Sequence, residues 1–321
     1  MKIIQIGEGR EVQLLDRPIP QPGPGEALVK IEAVTTCPQW DLHLRHNSPM
    51  FEGHRFHYPY AIGQPGHEAS GVAAKLGDGV KSLNVGDRVS VWRDGGYGCY
   101  AQYAVVPERD IIRIPGSVSF VGAAPIELAM CVGVTFLMLR EMDALRGKRV
   151  AVMGLGPAGL VALQMARAEG ASQVIGFDLS PERMALALKI GADDAINTRE
   201  ASPARFPSRP TLPSLDTSID CVGAKGTIEW LMDRTIDTVA VFGVLREEVA
   251  FASRHWAGLR LCGYRPHCRE AAEYAVDLIE RGLLDLEPLV THRMRLEDYA
   301  EAVDLLEQQK AIKVCFEPWR E

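Results

Sequence analysis

Val150-Ala151-Val152-Met153-Gly154-Leu155-Gly156-Pro157-Ala158-Gly159-Leu160 is an apolar, β-prone run that breaks into G-x-G-x-x-G and opens into a helix-forming segment. Each glycine has its own physical task. Gly154 permits the tight turn, Gly156 lets a pyrophosphate approach the backbone, and Gly159 lets the helix pack close to the strand. Pro157 and Ala158 begin that helix, whose unpaired N–H groups and positive dipole end suit phosphates. A second apolar run, Gln173-Val174-Ile175-Gly176-Phe177, ends in Asp178. An acid there, about 20 residues past the glycines, is placed to bond both ribose hydroxyls and to repel a 2′-phosphate. The stretch predicts a dinucleotide site, and NAD rather than NADP.

A chain of 321 residues is long for one core and comfortable for two domains. Its formal net charge of −7 argues against a nucleic-acid or anionic-membrane partner, since both favour a basic surface. No apolar run is read as reaching the roughly 18 residues of a membrane span, and Met1-Lys2-Ile3-Ile4-Gln5 does not read as a signal peptide. Seven cysteines, scattered singly without C-x-x-C, make no disulfide framework. That usage fits a reducing cytoplasm, the expected location, where a special cysteine is a metal ligand or a nucleophile.

Up to about residue 120 the chain reads as short strands separated by Gly/Pro/Asp turns, among them Ala27–Ile31, Ser70–Ala74 and Asp87–Trp92. Leu128 to Leu145 then reads as a helix, and a βαβ pattern runs from 149 to about 198. Residues 199–218 hold Pro203, Pro207, Pro210 and Pro213, too much proline for a helix, and are read as a surface excursion. Strands resume at Thr217–Val222, Thr238–Phe242 and Arg260–Cys262. This alternation implies a doubly wound parallel sheet, an α/β fold. Two amphipathic helices, 270–282 and 297–309, and a strand Ile312–Phe316 close the chain.

A second constellation comprises Cys37, His67 and Glu68. A thiolate and an imidazole are preferred zinc ligands, and a carboxylate can complete or exchange in the set. Spacing alone leaves open a buried inert cysteine with a loop histidine. Three segments add to this reading: Gly66-His67-Glu68-Ala69-Ser70-Gly71-Val72, Leu76-Gly77-Asp78-Gly79-Val80 and Val85-Gly86-Asp87-Arg88-Val89. In order and spacing they resemble the zinc-dependent alcohol dehydrogenases of the medium-chain dehydrogenase/reductase superfamily. The resemblance extends over nearly the whole chain, from Pro22-Gly23-Pro24-Gly25-Glu26 through Gly95–Tyr103 and the nucleotide motif to Val290-Thr291-His292-Arg293-Met294.

The resemblance implies a β-rich, GroES-like catalytic domain from residues 1–125 and 268–321, and a Rossmann domain at 126–267. It implies one catalytic zinc on Cys37 and His67, with Glu68 binding directly or exchanging with water. Ile126-Glu127-Leu128-Ala129 resembles the I-E-P-L form of polyol and sugar dehydrogenases, which makes Glu127 the third protein ligand. Without that role, Glu127 is an acid favoured by a helix dipole, and Cys131 is the alternative ligand. Asp41 resembles the acid that orients the metal-binding histidine, and His43 the far end of a proton relay. Cys221, Val222 and Gly223, with Phe242 and Gly243, close strands at the edge expected to approach the nicotinamide.

Two departures carry information. Only Cys99 lies where many relatives have four closely spaced cysteines, so no four-Cys structural zinc is expected. Relatives commonly read C-G-T-D-L-H. This chain reads Cys37-Pro38-Gln39-Trp40-Asp41-Leu42-His43, one residue longer and without the hydroxyl. The proton must then pass through water, Gln39, Thr35 or Thr36. Trp40, Phe51 and Trp92 are read either as an aromatic pocket wall or as packing. His46, His54 and His57 are read as a solvated loop.

The expected activity is hydride transfer between NAD and a small alcohol, such as a secondary alcohol, polyol, sugar or amino-alcohol. A zinc-free NAD(P)H quinone or enoyl reductase, and a non-catalytic NAD(H)-binding sensor, are the competing readings. A homodimer or homotetramer is expected because relatives usually form one.

Overall fold

The structure, a computed structural model, describes residues 1–202, 204–209 and 214–320. Pro203, Pro210 and Pro213 of the proline-rich stretch lie outside the described residues. The chain divides into two compact units. One comprises Met1–Met130 with Leu286–Glu321, the other Cys131–Asp285.

The first unit is built on a seven-stranded sheet. Its central strand, Glu26–Thr35, pairs antiparallel with Glu68–Leu76 on one side and with Lys313–Phe316 and Tyr103–Pro107 elsewhere along its length. Val29, Ile31, Val34, Val89, Val91, Val314 and Phe316 are completely withdrawn from solvent and form the core. Register then does chemical work. Thr35 pairs with Glu68, and Cys315 with Thr35. Antiparallel partners are cross-strand neighbours. Cys37, two residues past the end of one strand, therefore meets His67, the residue just before the other, although they lie far apart in sequence.

The second unit holds a six-stranded, wholly parallel sheet. Its spatial order is Asp194–Asn197, Gln173–Asp178, Arg149–Met153, Leu215–Asp220, Thr235–Val241 and Arg260–Cys262. Numbered along the chain this is 3-2-1-4-5-6, the doubly wound order whose reversal falls beside the first strand. Val150, Ala151 and Val152 are fully buried, as strands covered on both faces must be.

Three sequence expectations change. The return to the first unit comes at Leu286 rather than at 268. The helix Arg269–Glu280 packs on the second unit instead, where the Tyr274 hydroxyl donates to Glu169 at 2.8 Å and Ala271 presses on Gly133. An amphipathic pattern shows that a helix has a core face without showing which core it meets. The proline-rich excursion is anchored as well, because Phe206 is fully buried and stacks edge-on against Phe177 at 5.2 Å between ring centroids. Finally, Phe120–Glu141 is long and apolar enough to cross a membrane. Most of it is buried inside the protein, so here the apolar run makes a core helix.

Candidate functional site

Cys37 sits between the Glu26–Thr35 strand and the helix Pro38–His46, as that helix's N-cap. Pro38 takes the first helical position, where its missing N–H costs nothing. Asp41 clamps the turn from both sides. Its own N–H donates to the Cys37 carbonyl at 2.9 Å, and its carboxylate accepts from the Cys37 N–H at 2.8 Å. The same buried carboxylate accepts from the hydroxyls of Tyr100, at 3.0 Å, and Tyr299, at 2.8 Å. Burial pushes Asp41 up to about 6, against the pull of these hydroxyls, the His67 charge and the Cys37 amide.

Asp41 therefore does not hydrogen-bond the histidine ring, as the resemblance had implied; it fixes the cysteine turn. His67 is oriented by the Pro65 carbonyl, which accepts from its Nδ1–H. That bond leaves a lone pair on Nε2, the tautomer a metal ligand needs.

The Cys37, His67 and Glu68 ligand atoms all lie within 4.8 Å of one another. Glu127, buried in the first turn of Ile126–Glu141, brings a carboxylate oxygen to 3.9 Å from His67 Nε2. Donors around a tetrahedral zinc stand roughly 3.3–3.8 Å apart, given its bond lengths. Burial alone would lower the His67 pKa. The hydrogen bond to Cys37 and the Glu127 charge outweigh it and hold the imidazole well above its ordinary value. Cys131, the alternative donor, instead lies 3.4 Å from His267 Nε2.

Glu68 has partners the sequence did not announce. Lys313, as buried as Glu68 itself, forms an ion pair with it and also donates to the Thr36 carbonyl at 2.7 Å. Thr35 donates its hydroxyl to the same carboxylate at 2.7 Å. Glu68's charge is thus already balanced, which makes it the weakest donor of the set. The available signal was a lysine inside the apolar run Ile312–Phe316, since lysine is almost never fully buried unless paired.

The relay candidates separate cleanly. Thr35 is committed to Glu68, and the Thr36 hydroxyl accepts from the Val314 N–H. His43 keeps Nδ1 on the Ser48 carbonyl, at 3.1 Å, and its Nε2 lies 3.4 Å from the Gln39 amide nitrogen. Gln39 is therefore the group that meets the ring nitrogen able to accept a proton.

An aromatic wall adjoins His67. Trp40 stands edge-on to it with ring centroids 6.3 Å apart, and contacts His54 and Phe56 on its other sides. His54 in turn meets Phe51 and Phe56 at 5.0 and 4.6 Å. One expectation is corrected here, and one open alternative is decided. His54 is half-buried in this wall rather than solvated with exposed His46 and His57. Trp92 is buried and donates its indole N–H to the Arg109 carbonyl, which is packing.

The glycine motif in the second unit has its physical reasons on display. Gly154 has φ +87°, and a Cβ on Gly159 would lie 1.8 Å from the Gly154 carbonyl oxygen. A Cβ on Gly156 would meet nothing, so the room beside this helix N-terminus is open. Gly156 is the N-cap of Pro157–Ala168, and no side chain caps that end, a donor arrangement suited to phosphate. Asp178 accepts from the Leu155 N–H at 2.6 Å, which fixes its carboxylate against the glycine turn. At the neighbouring strand ends, a Cβ on Gly243 would lie 2.2 Å from the Gly223 nitrogen. These two glycines are explained by close approach of the backbones. Cys221 leads into this turn, Val222 is exposed, and Phe242 stacks edge-on against Tyr264.

The first unit and the sheet of the second are those of a two-domain dehydrogenase, and comparison with known proteins agrees. Residues 23–116 match the alcohol dehydrogenase GroES-like domain, and residues 157–265 the zinc-binding dehydrogenase domain. Mouse sorbitol dehydrogenase is 28% identical, covering 98% of this chain and 94% of that protein. L-threonine 3-dehydrogenase from Pyrococcus horikoshii is likewise 28% identical, over 98% and 97%. The crystal structure of galactitol-1-phosphate dehydrogenase from Escherichia coli superposes with a TM-score of 0.83 at 25% identity, covering 99% of this chain and all of that one. The chain belongs to the zinc-dependent alcohol and polyol dehydrogenases of the medium-chain superfamily. It is an alcohol or polyol oxidoreductase; the zinc-free reductase and the non-catalytic sensor are not favoured.

Proposed function

We propose that the chain oxidises a secondary hydroxyl of a small polyol with NAD as acceptor, and reduces the matching ketone in reverse. The observation that carries this reading is the convergence of half-buried Cys37 and buried Glu127 on the buried His67 ring, at strand and helix ends. Those three residues would hold zinc, which as a Lewis acid lowers the pKa of a substrate hydroxyl and polarises a carbonyl. NAD, on the glycine turn and Asp178, would supply the hydride acceptor.

The chain's own residues do the rest. Asp41 fixes Cys37, the Pro65 carbonyl fixes His67, and the Lys313–Glu68 pair adds a balanced dipole behind the donors. Trp40 and its neighbours shield this corner from water. His43 accepts the released proton only after Gln39 yields its nitrogen to water, because an amide has no proton to exchange readily. Asp178 supports NAD over NADP, since a second negative group beside it is repelled. The Arg260–Cys262 strand is the sheet's outer member, with Leu261 and nearby Trp256 exposed, which supports self-association as a homodimer or homotetramer.

Elemental analysis of protein purified without chelator tests the reading first. About one zinc per chain is expected, lost in Cys37→Ser while NADH binding persists. No zinc after reconstitution, or loss of NADH binding along with the metal, would overturn it.

A further inference from the structure

We infer that His54 is a substrate-binding residue that selects alcohols carrying a second hydroxyl beside the reacting one. This rests on the polyol reading above and adds the residue that enforces it. The loop bearing His54 turns sharply at Gly53, with φ +78°, and the His54 N–H donates to the Phe51 carbonyl at 3.1 Å. The Met50 N–H donates to His54 Nδ1 at 3.3 Å. A ring nitrogen that accepts an N–H carries no hydrogen, so the neutral ring keeps its proton on Nε2. Among the described residues that Nε2–H has no hydrogen-bond partner.

Half-buried, this donor is open to water or to a ligand, and its neighbours are aromatic. Trp40, Phe51 and Phe56 all touch the ring, and Trp40 also touches His67. A polar donor thus stands on a half-exposed aromatic wall, with Trp40 between it and a metal-binding histidine. Binding sites of this build use the apolar surface for affinity and the few polar groups for orientation. A mono-alcohol leaves the donor unmatched when it displaces water, whereas a vicinal hydroxyl accepts from it. A site that hydrogen-bonds a substrate hydroxyl discriminates against the analogue lacking it.

The test uses zinc-loaded protein and matched substrates: 2,3-butanediol against 2-butanol, and cis-1,2-cyclohexanediol against cyclohexanol. The diol-to-mono-alcohol ratio of kcat/KM should fall about tenfold in His54→Phe, the scale of one neutral hydrogen bond. His54→Gln, which keeps a donor, should restore most of it. Calorimetric titration should show diol affinity falling relative to mono-alcohol affinity, which rises as the unmatched donor is removed, and zinc content should stay at one per chain. His54→Leu serves if the phenylalanine does not pack. An unchanged ratio in the apolar variants, or an equal fall in His54→Gln, would overturn the inference and leave the proposed function standing. Wild-type protein that turns over no member of either pair would overturn the proposed function, and this inference with it.

Discussion

Lys313 and Glu68 are both withdrawn from water, and such a pair gains its value from completeness. Two ions pay a desolvation cost that their mutual attraction offsets only when the remaining hydrogen bonds are made. Thr35 and the Thr36 carbonyl make them here. Removing one partner strands the other. Lys313→Met should therefore destabilise the protein by about 3–5 kcal/mol in denaturant titration, with Glu68→Gln/Lys313→Met recovering part of the loss. A single variant as stable as wild type would show that the pair's attraction does no more than offset its desolvation. At this scale the sequence was legible for Cys37, His67 and the glycines, because each carries a local pattern. It was not legible for Tyr100 or Tyr299, and for Lys313 it marked a buried lysine without naming its partner. Their importance comes from register and from contacts made across long stretches of chain, and no local window contains those. Asp41 shows the same limit from the other side, being found by pattern but given the wrong partner.

The strand–turn–helix at 149–168 separates two reasons for keeping a glycine. Gly159 is needed for folding, since its Cβ would run into the Gly154 carbonyl. Gly156 is not, since its Cβ would meet only open space and its φ is −70°. Gly156→Ala should hold its melting temperature, the change in stability staying within about 0.5 kcal/mol, yet weaken NADH binding about tenfold or more. Gly159→Ala should lose stability and binding together. Equal NADH affinity in Gly156→Ala and wild type would remove the phosphate from that position. The elements themselves were well marked in sequence, because buried parallel strands and glycine turns leave strong local signatures. What the sequence misassigned was allegiance, as with the Arg269–Glu280 helix.

Across the whole molecule, two ligands are assigned to two separate units, so each should stabilise its own. Anything that binds only the folded state adds to its stability by mass action. Chelation should raise amide exchange at Thr35–Asp41 and Gly66–Ala69 while leaving the parallel sheet of the second unit protected. NADH added to chelated protein should slow exchange at 153–160 without restoring the first set. Uniform change across both units would refute the assignment of one ligand to each.

The Asp41 knot also has a consequence for biosynthesis. It ties Cys37 to a tyrosine at position 299, and Glu68 waits for a lysine at 313, whereas the parallel sheet closes within one continuous segment. On the ribosome, where domains fold as they emerge, the dinucleotide unit can be finished while the metal donors still lack their supports. The cysteine turn then takes its shape only after residues 299 and 313 have emerged, so zinc loading should follow folding of the dinucleotide unit.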